Sequence, residues 1–75
     1  MKADEIANLF LNTEGKRGEK ELRRYIADGG HIHSLDDDGF SAMDIAKAAA
    51  FKAERMRATA LRLVEIIDLL DQATQ

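Results

Sequence analysis

The sequence predicts an all-α fold of four helices with a long turn at residues 29-40 and an extended C-terminal helix. Three observations predict it. Alanine is abundant, proline is absent and β-branched residues are few, a composition that favours helices. Apolar residues recur at spacings of three and four through most of the chain. The glycines gather in two places, Gly15–Gly18 and Gly29–Gly39, which punctuate the helical pattern. A chain of 75 residues fits a single domain, residues 1-75, with a small core.

The first helix runs from about Ala3 to Asn12, with Ile6, Leu9 and Phe10 on one face. Thr13 to Gly18 contains two glycines and reads as a loop. The second helix runs from about Glu19 to Asp28, with Leu22, Tyr25 and Ile26 as its apolar face. Gly29-Gly30 stops it, because glycine adopts the left-handed cap conformation at little cost. From Gly29 to Phe40 there is no helical period, and the segment reads as a structured turn or short hairpin.

Ser41-Ala-Met-Asp44 opens the third helix. It places a hydroxyl at the N-cap and a carboxylate three residues on, a variant of the capping box. No glycine or proline interrupts residues 41-74, so one long helix and two helices both remain open. Ala42, Ile45, Ala46 and Ala49 form a narrow stripe of mostly small residues, and Ala60, Leu63, Val64, Ile67 and Leu70 a large one. The stripe changes character near Arg57. The last helix is apolar on more than the roughly 100° arc a surface helix needs, because Leu61, Ile66 and Leu69 are apolar too. Either its own chain covers both sides or one side meets a partner; with so few other helices available, the expectation is a homodimer interface through Leu61, Ile66, Leu69 and Leu70.

Composition narrows function. At 33% charged and 45% hydrophobic residues the chain is globular rather than disordered. The net charge of -3 argues against a general nucleic-acid binder. Two basic clusters keep an alternative open, a nucleic-acid-associated regulator: Lys16, Arg17, Lys20, Arg23 and Arg24, then Lys47, Lys52, Arg55, Arg57 and Arg62. A purely structural homo-oligomeric subunit is the other alternative. No apolar run approaches the roughly 18 residues of a membrane span, and the polar start lacks a signal-peptide pattern, so the expected location is cytoplasmic.

Candidate chemistry is sparse. Asp36-Asp37-Asp38-Gly39 suggests a calcium loop, but setting Gly39 at the sixth position puts Ile45 where a bidentate glutamate belongs. His31-x-His33 offers two imidazoles but no cysteine or further histidine to complete a metal site. Gly15-Lys16-Arg17-Gly18 lacks the spacing of a phosphate-binding loop. No serine stands in a recognisable nucleophile and base arrangement, so no enzyme, no cofactor and no metal are expected.

The segment Gly-Gly-His-Ile-His-Ser-Leu-Asp-Asp-Asp-Gly-Phe-Ser-Ala-Met-Asp-Ile-Ala, Gly29 to Ala46, resembles the junction between two ankyrin repeats. Gly29, Ile32, Asp36, Gly39, Ser41, Ala42 and Ala46 carry the resemblance, with Met43 in the place of the usual leucine. Glu21 to Ile26 and Leu63 to Leu70 are similar to outer helices of that family. His31 and His33 replace the customary Asp and Asn, and the second unit is overlong between Ala48 and Ala60. The resemblance implies ankyrin-like helix-turn-helix pairs in repeat-like units of about 3-34 and 35-73. It also implies a protein-binding role, with partner-binding residues His31, His33, Asp37, Phe40, Asp44 and Lys47 at the turn tip and inner helix. Phe40 either anchors a partner or folds back onto Ile32 or Leu35. The functional expectation is a small non-catalytic interaction module, an inhibitor or adaptor that occludes a partner protein, of a size that suits a bacterial or phage regulator.

Overall fold

The computed structural model describes residues 1–12 and 17–73. Four α-helices follow one another: α1 (Ala3–Asn12), α2 (Gly18–Ala27), α3 (Ala42–Lys52) and α4 (Arg57–Ala73). The all-α architecture, the long turn before residue 41 and the long final helix are those the sequence predicts. No helix among the described residues is long and apolar enough to cross a membrane.

α1 starts where expected and buries Ala3, Ile6, Ala7 and Phe10, one face of a 3.6-residue period. Asp4 and Glu5 sit in its first turn, where negative charge complements the helix dipole. α2 begins one residue before the expected start. Gly18 is its buried first residue and not the end of a loop, because α1 passes directly over it. A β-carbon added at Gly18 would lie 2.6 Å from Phe10 Cα. The rest of the expected loop, residues 13–16, falls outside the described residues.

α2 ends at Ala27, one residue before the expected Asp28, which is its C-cap, and Gly29 follows with φ +95°, the left-handed conformation that favours glycine. The Gly30 amide then donates to the Tyr25 carbonyl at 2.9 Å, which satisfies one of the last carbonyls of the helix. The turn is closed at its far end by the Asp36 amide donating to the Phe40 carbonyl at 2.8 Å, next to an antiparallel bridge between Leu35 and Ser41. Gly39 has φ +86° at its tip.

Ser41 caps α3 as expected. Its hydroxyl accepts from the Asp44 amide at 3.2 Å, and the Asp44 carboxylate accepts from the Ser41 amide at 3.1 Å. The open question over residues 41-74 resolves into two helices. Ala53 is extended, with φ -133° and ψ 105°, and a short 3-10 turn at Glu54–Met56 leads into α4. No glycine or proline makes this break. Arg57 Nε donates to the Ala50 carbonyl at 3.3 Å, which satisfies one of the last carbonyls of α3. A cation there also suits the helix dipole. The turn folds α4 back along α3, and these two helices share the most extensive contact in the molecule.

α1 packs against α3, and α2 against both α1 and α4. The core draws on all four helices and on Ile32 of the turn. The expected α4 stripe needs one change. Ala60, Leu63, Ile67 and Leu70 are buried, but Ile66 joins them and Val64 is only half-buried. With α1, α2 and α3 all touching α4, the buried arc widens towards Ile66. In α3 the buried residues are Ala42, Ala46 and Ala50, while Ile45 and Ala49 are half-buried.

Candidate protein-binding surface

The long turn is held from three sides. Tyr25, on α2, accepts the His31 amide at 3.1 Å on its hydroxyl, which also lies 3.3 Å from the His31 carbonyl. The Met1 ammonium donates to the same hydroxyl at 3.0 Å and holds the phenol below the usual tyrosine pKa; its slight burial pushes the other way and the His31 hydrogen bond adds to the lowering. Gly30 lies flat against the Tyr25 ring, leaving no room for a side chain there. Lys2 Nζ meets Asp37 Oδ1 at 2.8 Å, and His33 Nε2 meets Asp71 Oδ1 at 2.8 Å. Inside the turn, Asp36 Oδ1 accepts the amides of Asp38 and Phe40 at 2.9 and 2.8 Å.

These bonds involve several of the expected binding residues. His31, His33 and Asp37 are exposed; the His31 backbone bonds to Tyr25 of α2, the His33 ring hydrogen-bonds to Asp71 of α4, and Asp37 pairs with Lys2 just before α1. The acidic run is a turn built around Asp36, with Asp37 committed to a lysine. Among the described residues no group of three or more His, Cys, Asp and Glu side chains is placed to hold a metal ion.

Phe40 and Asp44 are brought together. They line a shallow open groove of about 670 Å³ with Gly39, Ile45, Ala48, Ala49 and Lys52. Phe40 is 54% exposed, so the reading in which it folds back into the turn gives way to the exposed one. Lys47 is exposed on α3 but does not line the groove. The sequence reading missed Ile45, Ala48, Ala49 and Lys52 as surface-forming residues. The signal was present in the four-residue spacing of Asp44, Ala48 and Lys52, which puts all three on one side of a helix. It also missed Phe51, which lies outside every apolar stripe and is 89% exposed. Phe51 borders a second, smaller depression with Ala50, Arg57 and Leu61.

The expected dimer interface on the last helix is corrected. Ile66 is 1% exposed and Leu70 5%, and both belong to the chain's own core. They are consumed within the monomer because α4 is covered by three helices rather than one. Leu61 and Leu69 remain exposed.

The basic clusters are partly neutralised. Glu19 lies 3.1 Å from Arg62 and 3.8 Å from Arg23, and Arg62 also meets Glu65 at 3.2 Å. Comparisons with protein-family models, curated proteins and solved structures found no match to this chain.

Proposed function

We propose that this chain is a small non-catalytic protein-interaction module, an adaptor or an inhibitor that acts by covering a partner's surface. One observation carries the reading: Phe40 stands exposed in an apolar groove along α3, and Phe51 stands exposed at a second, smaller depression on the same helix. A chain this small has few large apolar residues, and burying each inside would contribute about 1.5–3 kcal/mol to folding. Aromatic residues held outside, next to a concave apolar strip, suit anchors for a partner. We read the two helix pairs as divergent ankyrin-like units. The packing of α1 on α3 and of α2 on α4, with the Gly39 turn and Ser41 cap between them, supports that reading. The carboxylates paired with Arg23 and Arg62 weigh against a nucleic-acid surface at those residues.

A photo-cross-linking residue in place of Ala48 tests the proposal. The expected result is a discrete protein adduct, in native extract or in concentrated purified protein, that is lost when Ile45→Asp is added. No adduct under either condition overturns it. So does an adduct that Ile45→Asp leaves unchanged.

A further inference from the structure

The α3 surface has a polarity of its own. Asp44, Ala48 and Lys52 follow one another at four-residue steps and form a single stripe, turned away from the buried Ala42, Ala46 and Ala50. Each step rises about 6 Å, so the carboxylate and the ammonium stand about 12 Å apart along the axis. They mark opposite ends of the groove and are too distant to pair with each other. Among the described residues neither forms an ion pair with another side chain of its own chain. The Asp44 carboxylate uses Oδ2 in the cap, which leaves Oδ1 to accept from a cation. Between the two charges the groove is apolar, with Ile45, Ala48 and Ala49.

A partner for this surface needs an apolar strip with a cation at one end and an anion at the other, in reversed order. A uniformly acidic or basic segment satisfies one end and repels the other. α3 itself, run antiparallel, has the required order. We propose that the occupant is a second copy of this chain, packed α3 against α3 about a two-fold axis at Ala48. This rests on the docking reading above and names the occupant of the same surface.

The two-fold makes every contact occur twice. Asp44 meets the partner's Lys52, and Lys52 meets the partner's Asp44. Ala48 faces the partner's Ala48 on the axis, where two methyl groups let the helices approach to the near end of the usual spacing of about 8–10 Å. The antiparallel arrangement also sets each helix dipole against its opposite. Ile45 and Phe51 lie on the two shoulders of the stripe and lose water as the helices close. A contact through one helix of eleven residues falls at the small end of interface sizes, so the dimer is expected to be a micromolar one.

Sedimentation equilibrium over about 10–200 µM reads the outcome. Wild-type protein is expected to approach twice the chain mass. Ala48→Glu sets two carboxylates on the axis and is expected to leave a monomer with unchanged helical circular dichroism. Asp44→Lys and Lys52→Asp each replace two attractive pairs by two repulsive ones, and each is expected to weaken association at least about tenfold. Mixed in equal amounts, these two variants regain opposite charges at both sites and are expected to form a heterodimer. Should Asp44→Lys unfold the chain through loss of the Ser41 cap, Lys52→Asp and Ala48→Glu carry the test. A monomeric wild type, variants that still dimerise, or a mixture of folded charge variants that stays monomeric overturns the proposal. A cross-link at position 48 to a different protein, with a monomeric wild type, overturns the second copy and leaves the docking reading standing. No cross-link at all overturns that reading too.

Discussion

α1 and α3 lie side by side and use their side chains in opposite ways. α1 sends large residues inward, with Ile6 and Phe10 wholly buried beside Ala3 and Ala7. α3 sends three alanines inward and keeps Phe51 outside. The difference follows from their neighbours. α3 is packed between α1 and α4 and must let both approach closely, so its inner face is small. Met43 and Ile45 pack against the core only from its edge, and Phe51 does little for folding and remains available for binding. The same alphabet of apolar residues makes a core on one helix and a candidate interface on the other.

The strongest way to break this contrast is truncation of each phenylalanine. Phe10→Ala is expected to cost about 3–5 kcal/mol, enough to unfold much of a domain this size. Phe51→Ala is expected to stay within about 0.5 kcal/mol of wild type. Urea unfolding followed by circular dichroism compares them, and similar losses would contradict the assignment of Phe51 to the surface.

Overpacking sharpens the comparison at the next level. Ala46→Leu forces a larger side chain into the α3 core face and is expected to cost about 1–3 kcal/mol, whereas Ala48→Leu on the open face leaves monomer stability unchanged. Gly18→Ala belongs to the same range, because the added methyl meets the backbone of Phe10. Thermal melts at concentrations where the chain is monomeric check all three.

The Ser41 cap is a smaller contributor. Ser41→Ala is expected to cost about 1 kcal/mol, with faster amide exchange in the first turn of α3 as its local signature. Smallest of all is the exposed Lys2–Asp37 pair. Lys2→Ala is expected to change stability by less than about 0.5 kcal/mol, and even that difference should fade in high salt. A large, salt-insensitive loss would mean that this pair organises the turn more than its exposure implies.

The features that were legible in the sequence are ones written within a few residues. The Ser41–Asp44 box, the stop at Gly29 and the tip at Gly39 depend on neighbours in the chain. Their hydrogen bonds close over three to five residues, so residue type and spacing specify them. The break at Ala53 was harder to read. It carries no glycine or proline, and its stabilising Arg57–Ala50 bond spans seven residues. Tyr25 was legible as an apolar residue but not as the anchor of the turn, because its hydroxyl partners come from the chain's start and from beyond the end of α2.

The sequence by itself therefore determined an all-helical chain and the punctuation around Gly29, Gly39 and Ser41, while the division of residues 41-74 into two helices was left to the tertiary structure. Helix signals are local, and each is satisfied by the residues that surround it. Only the tertiary structure decided how α4's surplus of apolar residues divides. Ile66 and Leu70 turn inward while Leu61 and Leu69 stay out, because burial depends on how many helices cover an arc and from which side. It decided the same for α3, whose outward stripe of Asp44, Ala48 and Lys52 became a surface once α1 and α4 had taken the other sides.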